Sequence, residues 1–523
     1  MNGSWSRYSG ASWATIDDLD AQYINTITSW PGYGREEGKA PTALYYDDDT
    51  GETHWGYDIE GEASALQWFK LLLLRPDDVP DYIKHSHVFL DAKRILKGTG
   101  KAPVDVIADY LKLFWNHIMD IIQRDRGEHL VDTLQIHVVL TVPAIWKGYA
   151  RQDMKLAAAK AGILDTRDAG PTTLSFAPEP EAAALAAFLE EGRRFGKDEV
   201  YIICDAGGGT VDLVMYMIVN TDPIQLHEVG IGGLCGGIFV DEAFRDIVKE
   251  RLGRKWNNLS LTGQKEIMKK EWEVGIKPRF KPDNTNREHI VSIPAEAMMG
   301  SSLDDKSRRP FIKDGRIHFA SSDINKAFTG VFSSIEELID NQIQQARKTS
   351  LSVKGIILVG GLGSNDYLYQ HLKWRYKPKG VDIIQSTGMK QRTAISCGAI
   401  FKGFNDGPNA RMMDGQPFGI QRPIAIVSSV ARESIGIVVR RVFIEGLHDV
   451  QDKEWDEVRG KYMAGNQMYW LVKKDDHKPS TTGTIGKQAD FNIKMVPSGA
   501  TVEFSAFYDG KLMKSQDVDV EYA

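Results

Sequence analysis

A run of three glycines between two aspartates is the feature that most constrains how this chain folds. The octapeptide DAGGGTVD occupies positions 205–212, next to apolar runs at 200–204 and 211–219 that have the pattern of buried strands. Consecutive glycines permit positive φ angles and let backbone N–H groups approach an anion with no Cβ in the way. We therefore predict a tight hairpin whose turn binds phosphate.

The residue types in this turn suggest separate roles. Asp205 ends the first strand, where a carboxylate can hold the water shell of magnesium, a cation that takes few carboxylates and several waters. Gly207, Gly208 and Gly209 would surround the phosphates. The Thr210 hydroxyl would donate to the terminal phosphate. A plain glycine hairpin without a ligand is the alternative, but the aspartates and the threonine on either side disfavour it.

Strand and helix patterns alternate over about the first four hundred residues. An apolar, β-branched run at 134–142 precedes a helical stretch at 149–161, and a second strand at 355–359 leads into a helix from about residue 364. This alternation indicates an α/β fold. From about residue 414 the pattern becomes β-rich, after the turn-forming segment NDGP at 405–408.

Composition excludes several classes of partner. The net charge of −7 disfavours a nucleic-acid or anionic membrane surface, and no apolar run approaches the roughly 18–20 residues that span a bilayer. The three cysteines, Cys204, Cys235 and Cys397, are far apart and match no disulfide or metal pattern. We expect a cytoplasmic protein. A length of 523 residues predicts two or more domains.

Several motifs in a fixed order identify a family resemblance. DAGGGTVD is similar to the second phosphate motif of the actin, hexokinase and heat-shock ATPase superfamily. Other segments resemble its remaining motifs in order: VPAIW at 142–146, EPEAAAL at 179–185, LVGGLG at 358–363 and AISCGA at 394–399. The first two favour the seventy-kilodalton heat-shock proteins over actins and sugar kinases. Trp146, with WPG at 30–32, resembles a divergent, often fungal, branch.

The resemblance covers about residues 8 to 405 and implies a two-lobed actin-like ATPase, built from duplicated ribonuclease H-like domains, that binds ATP or ADP with Mg²⁺. A β-rich C-terminal region follows. The implied divisions are a first lobe at 1–195, a second lobe at 196–408 with a peripheral subdomain at 256–322, and the β-rich region at 409–523.

The resemblance also assigns further site residues. Glu179 would reach the waters of the metal or orient the attacking water, although a carboxylate at a helix start can also serve only the helix dipole. Gly360 and Gly361 would let the ribose and adenine lie against the backbone. Lys277 would flank the adenine, or be a solvated surface lysine. Pro143 would lie at the hinge that couples the nucleotide state to closure of the lobes, or would simply end a strand.

Two departures from the family pattern bear on activity. Residues 8–14 resemble the segment after the family's first phosphate loop, so we expect that loop and one metal-orienting carboxylate to be lacking. The stretch at 55–60 also offers no match for the lysine that the family places near the γ-phosphate. Positioned charge is most of what a protein contributes to phosphoryl transfer, so both losses would depress hydrolysis.

Two functions therefore stay open. The first is a slow ATPase that couples nucleotide state to lobe closure and to polypeptide clients, with co-chaperones as further partners. The second is a pseudo-ATPase scaffold that binds nucleotide weakly or not at all. The β-rich region fits peptide binding by strand addition and equally a purely structural sandwich.

Overall fold

The computed structural model describes most of the chain. The described residues are 7–15, 18, 24–60, 64–144, 146–190, 192–222, 224–231, 238–282, 287–299, 302–406, 424–430, 435–457, 460–472, 477–479, 483–488, 491–498, 501–508 and 511–517. Cys235 and part of the predicted boundary at 405–408 lie outside them.

The chain forms two compact units. The first comprises Met1–Gln225 and Gly230–Ala425, and the second comprises Leu226–Val229 and Ile426–Ala523. The predicted limit between two lobes, at residues 195 and 196, lies inside the first unit and stays a prediction.

The N-terminal part of the first unit combines short strands with helices around an aromatic core. Trp30 stacks on Phe114 with ring centroids 5.6 Å apart, and Trp55 meets both edge-on. The strands are Tyr8–Ser9, Ser12–Trp13, Asn25–Thr26, Ala40–Pro41, Ala43–Tyr46, Thr53–Trp55, Leu66–Gln67, Thr166–Arg167 and Gly170–Pro171. The helices are Asp81–Lys84, His87–Thr99, Pro103–Arg126, Glu128–Thr133 and Gly148–Lys160, with 3₁₀ turns at Gly56–Asp58, Phe69–Leu73 and Pro76–Asp78.

A pair of parallel strands sets the position of Glu179. His137–Val142 runs alongside Thr173–Pro178, and the register matches Val142 to Pro178, so both strands end at one level. The helix Glu179–Phe188 begins at the next residue, with Pro180 in its first turn, a position that suits proline. Glu179 is therefore fixed at the start of a helix and the end of a strand.

The sheet that carries the glycine turn has its strands in the order Asp382–Gln385, Val353–Val359, Val200–Ala206, Val211–Thr221. The first three strands are parallel, and the last two form an antiparallel hairpin. Because parallel strands end at a common edge, where open α/β sheets bind their ligands, Asp205 and Gly360 reach the same edge.

Helices and a small sheet complete the first unit. The helices are Ile238–Leu252, Leu261–Lys265, Ala295–Met298, Ser321–Lys348, Asp366–Tyr376 and Lys390–Asp406, with a π-helical segment at Glu266–Ile276 and 3₁₀ turns at Gly253–Asn258, Lys277–Arg279 and Lys377–Lys379. The small sheet has the order Glu288–Ser292, Arg316–Ala320, Phe311–Lys313.

A close helix crossing ties the glutamate-bearing helix to the rest of the unit. A Cβ added at Gly398 would lie 1.6 Å from the carbonyl oxygen of Ala182. Only glycine therefore permits helix Lys390–Asp406 to cross helix Glu179–Phe188 at this distance.

The second unit is built from strands, as predicted for the C-terminal region. Ile435–Val442, Lys461–Val472 and Lys453–Asp456 form one sheet, and Gly483–Gln488, Phe491–Ser498, Thr501–Tyr508 and Lys511–Asp517 form another. The remaining strands that contribute to this unit are Ile224–Ile231, Ile424–Val430 and His477–Pro479. Among the described residues, no helix has the length and apolarity that a bilayer crossing needs.

Candidate functional site

The predicted glycine hairpin is present, and its turn is short. The backbone N–H of Gly207 donates to the Thr210 carbonyl at 2.8 Å, and Asp205 lies directly opposite Asp212 in the register. Both aspartates and Thr210 are buried. Within the described part of the chain, the Thr210 side chain has no hydrogen-bonding partner. The turn thus collects acidic and hydroxyl groups around three glycines.

Gly360 lies against the same turn. Its φ is +85°, and an added Cβ would lie 2.4 Å from Asp205 Oδ1 and 2.6 Å from the Ala206 carbonyl oxygen. The N–H groups of Leu362 and Gly363 donate to that carbonyl at 2.8 and 3.0 Å. Gly361 is exposed and borders open space. The segment predicted for the adenosine therefore joins the glycine hairpin in one wall.

A buried ion pair stands beside this wall. Lys70 Nζ donates to Glu179 Oε1 at 2.8 Å, and each residue is 2% exposed. The Lys70 ammonium also lies 5.0 Å from the ring centroid of Trp146, within range of a cation–π contact. Trp68, just before the 3₁₀ turn Phe69–Leu73, has a φ of 62°, so the backbone adopts an uncommon conformation next to Lys70.

Lys70 thus lies beside Glu179, whereas the stretch at 55–60, where the family pattern places its lysine, contains none. Lys70 lies ten residues after the end of that stretch, directly before the apolar run 71–74. A lysine bounded on both sides by buried apolar residues is itself a signal, because lysine is almost never fully buried without a partner. That signal was available in the sequence.

Lys70, Glu179, Asp205 and Asp212 form what we call the turn cluster. Burial, then Glu179 and Asp212, raise the pKa of Asp205 well above its ordinary value, while Lys39 and Lys70 oppose the rise. Burial lowers the pKa of Lys70 against the attraction of Glu179. Asp205 Oδ1 is buried and accepts no hydrogen bond from any residue that the structure describes. The cluster therefore has unsatisfied negative charge.

The turn cluster is compatible with the magnesium ion that the family resemblance implies. Asp205 Oδ1 has no hydrogen bond and lies among other negative charges, so it suits a hard cation, and hard cations prefer oxygen ligands. In the described ranges, no group of three or more histidine, cysteine, aspartate or glutamate side chains is arranged to hold a metal directly. Magnesium, which keeps several of its waters, fits a site with so few direct ligands.

A second group of charges, centred on the buried Asp241, contains Lys277, and we call it the paired cluster. Asp241 accepts from Arg7 at 2.5 Å, from Lys277 at 2.8 Å and from the indole N–H of Trp272 at 2.7 Å. Glu273 accepts from Arg7 at 2.5 Å. The hydroxyl of Tyr8 also donates to Glu273, at 2.7 Å.

In the paired cluster the pKa of the aspartate is shifted in the direction opposite to that of Asp205 in the turn cluster. Burial alone would raise the pKa of Asp241, but Lys277 and Arg7 hold it below its ordinary value. Burial opposes the charge of Arg7, yet Glu273 and Asp241 raise its pKa. Each charge in this cluster therefore has a partner of opposite sign.

Contacts connect the two clusters. A Cβ on Gly208 would lie 3.2 Å from Arg7 Cβ, so the paired cluster reaches the glycine turn. The Asn365 amide donates to the Lys277 carbonyl at 2.9 Å and caps helix Asp366–Tyr376, just after the Gly360 segment. The predicted site residues thus lie in one region. The Lys277 ammonium is hydrogen-bonded to Asp241 there.

The sheet, its glycine turn and the β-rich second unit define the class: an α/β actin-like ATPase fold followed by a β-rich region. A family model described as "Hsp70 protein" matches residues 116–404, more than half of the chain. The chain belongs to the Hsp70 protein family.

Curated relatives are similar at low identity. Chaperone protein DnaK of Endomicrobium trichonymphae is 25% identical over 47% of this chain and 36% of its own length. Heat shock 70 kDa protein 12B of Homo sapiens is 22% identical over 70% and 63%. A Chaperone protein HscA homolog of Cupriavidus pinatubonensis is 28% identical over 47% and 37%. The chain thus spans less than two thirds of each relative, and the fungal branch and the lacking first loop stay predictions.

Proposed function

We propose that this chain binds ATP and ADP with Mg²⁺ and hydrolyses ATP slowly, coupling nucleotide state to lobe closure and polypeptide binding. The observation that carries the proposal is the buried Lys70–Glu179 pair at 2.8 Å beside an Asp205 whose Oδ1 has no hydrogen bond in the described structure. Oriented charges of this kind are what phosphoryl transfer requires from a protein.

Each residue of the turn cluster has a role in this proposal. Magnesium, when bound, neutralises charge on the phosphate oxygens. Asp205 holds the waters of that ion, Lys70 binds the terminal phosphate, and Glu179 orients the attacking water while its charge keeps Lys70 in place.

The glycine turn and the Gly360 segment hold the rest of the nucleotide. Backbone N–H groups of Gly207, Gly208 and Gly209 surround the phosphates, and the unpartnered Thr210 hydroxyl donates to the γ-phosphate. The ribose and adenine lie along Gly360 and Gly361.

Lys277 has a limited role on the adenosine side. Because its ammonium is paired with Asp241, its alkyl stem, rather than its charge, flanks the adenine.

The partners follow from the family and from the second unit. Polypeptide clients, bound by strand addition to the β-rich unit, and co-chaperones are the partners that Hsp70 membership suggests. We assign the protein to the cytoplasm because its three scattered cysteines suit a reducing compartment.

A pseudo-ATPase is the second candidate, and one contact favours it. Arg7 packs against Gly208, and its bulk leaves less room for phosphates beside the turn. Such a protein would be a scaffold that binds nucleotide weakly or not at all and does not hydrolyse it.

Calorimetric titration with ATP and ADP in the presence of Mg²⁺, followed by single-turnover phosphate release, separates these functions. Binding with magnesium-dependent release supports the slow ATPase, and Lys70→Met should then abolish most of the release. Binding of both nucleotides without release supports the pseudo-ATPase. Absence of binding to the folded full chain would refute the slow ATPase and support a pseudo-ATPase that binds no nucleotide.

A further inference from the structure

Lys39 is a buried lysine that none of the assigned roles uses. It is 7% exposed and lies directly before strand Ala40–Pro41. In the described ranges its ammonium has neither a hydrogen-bond acceptor nor an ion-pair partner. This contrasts with Lys70, which is 2% exposed and is paired with Glu179. Lysine side chains are rarely buried to this extent without a partner, so the presence of Lys39 calls for an explanation.

The backbone around Lys39 is held in place on three sides. Ala40 pairs with Ser9 in a two-stranded sheet, and the Tyr57 hydroxyl donates to the Lys39 carbonyl at 3.2 Å. An added Cβ on Gly10 would lie 3.1 Å from Lys39 Cγ, so the stem of the lysine passes over that glycine. The side chain therefore has little freedom to move to solvent.

The backbone beside Lys39 is close to the glycine turn, because Ala40 pairs with Ser9 and Arg7, two residues before Ser9, contacts Gly208. The carboxylates that attract it most strongly are those of Asp205 and then Glu179, both of the turn cluster. Arg392 repels it, but that guanidinium is itself paired with Glu37 at 2.5 Å. Glu179 already accepts a hydrogen bond from Lys70. In the described structure, the Lys39 ammonium, Asp205 Oδ1 and the Thr210 hydroxyl all have no hydrogen-bond partner.

A purely structural role explains this arrangement poorly. A lysine that served only to neutralise Asp205 and Glu179 would gain most by direct bonding to one of them, as Lys70 does. A lysine reserved for an anion would instead be positioned near the carboxylates and left without a bond until the anion arrives.

We propose that Lys39 is a second phosphate-binding lysine, which contacts the β- and γ-phosphates of a nucleoside triphosphate from an element different from that of Lys70. This inference rests on the proposed function and deepens it. It assigns the preference for triphosphate over monophosphate to two buried ammonium groups, one held ready by Glu179 and one unpaired.

The test compares Lys39→Met with Lys112→Met, a change at an exposed lysine of helix Pro103–Arg126. Methionine keeps the length of the stem and removes the charge. Calorimetric titration of the full chain with Mg²⁺ and ATP, ADP or AMP measures the affinities. Lys39→Met should weaken ATP binding by about tenfold to hundredfold, since a bond to a charged group is lost, and leave AMP binding within about twofold. Lys112→Met should change neither.

The remaining outcomes are decisive as well. ATP binding unchanged in Lys39→Met would overturn the role of Lys39 and leave the proposed function standing. An equal loss for ATP, ADP and AMP would also overturn it, because it would indicate a structural effect. If the unaltered protein bound none of the three, the proposed function itself would fail and this role with it. Should Lys39→Met not fold, Lys39→Gln replaces it under the same criteria.

Discussion

The turn cluster and the paired cluster are both rich in charge, and Arg7 connects them. The pKa of the central aspartate is nevertheless shifted in opposite directions in the two clusters. In the paired cluster Asp241 has three donors and a lowered pKa. In the turn cluster Asp205 has a free oxygen and a raised pKa. Both aspartates are buried, Asp205 at 2% and Asp241 at 8% exposure, and they differ mainly in the number of their partners.

This difference separates structural charge from functional charge. A fully paired cluster stabilises the arrangement of its elements and gains nothing from a ligand. A cluster with surplus charge costs stability in the free protein, and a ligand of suitable charge removes that cost. The same substitution, aspartate to asparagine, should therefore act on chemistry in one cluster and on stability in the other.

The largest expected effect is that of Asp205→Asn on turnover. Losing the carboxylate that holds the waters of the metal should reduce magnesium-dependent phosphate release by about 10²–10³-fold, the scale of losing one electrostatic group. ADP affinity should fall much less, and the stability of the nucleotide-free protein should not decrease. Single-turnover phosphate release and calorimetry measure the two effects.

Asp241→Asn is the matched control for that experiment, with the same change in the paired cluster. It should leave release by the folded protein within about tenfold, since a charge that is already neutralised contributes little to phosphoryl transfer. If both variants lost turnover equally, or if ADP binding fell as far as turnover in Asp205→Asn, the division between the clusters would be wrong.

The second effect is on stability. Asp241→Asn leaves Arg7 and Lys277 without their shared carboxylate, and removing one partner of a buried ion pair costs about 3 kcal/mol or more. We expect a lower midpoint of urea unfolding in the nucleotide-free protein. Asp81→Asn, which breaks an exposed pair with Lys84, should leave that midpoint almost unchanged.

Local sequence was sufficient to predict the glycine hairpin because its determinants are local. Three glycines between apolar runs specify a turn between strands, and the strands Val200–Ala206 and Val211–Thr221 extend the predicted runs by only two residues each. Gly360 and Glu179 also follow strands directly. Their meeting with Asp205 depends on strand ends sharing an edge, which the α/β pattern implies.

The partners of the charges could not be predicted in the same way. Arg7 and Asp241 are 234 residues apart, and no periodicity records such a contact. Lys39 lies in a polar stretch, so nothing local distinguishes it from a surface lysine. Lys70 was the exception, since its apolar neighbours on both sides indicated burial. The sequence thus located the turn, and the pairing of charges required the fold.

The smallest effect, and the one that tests the comparison most directly, is the pH dependence of the two asparagine variants. Asp205 has a raised pKa in the folded state, so its contribution to stability is present below its ordinary pKa of 3.8 and lost as the pH rises through the folded-state value. Asp241 has a lowered pKa, so its contribution is present above 3.8 and lost only as the pH falls through the folded-state value.

The free energies of urea unfolding of Asp205→Asn and Asp241→Asn should therefore depend differently on pH between pH 4.5 and 8. The stability of Asp205→Asn relative to the unaltered protein should improve as the pH rises, by up to about 1.4 kcal/mol for each unit by which the pKa is raised. The deficit of Asp241→Asn should stay constant over this range and shrink only in more acidic solution. Glu179, Asp212, Lys39 and Lys70 interact with the charge of Asp205, so the difference between the curves reports the loss of this carboxyl group together with the response of these neighbours. If the difference in unfolding free energy between Asp205→Asn and the unaltered protein did not change with pH, the charge of Asp205 would be as well compensated as that of Asp241. The turn cluster would then have no surplus charge for a ligand to neutralise.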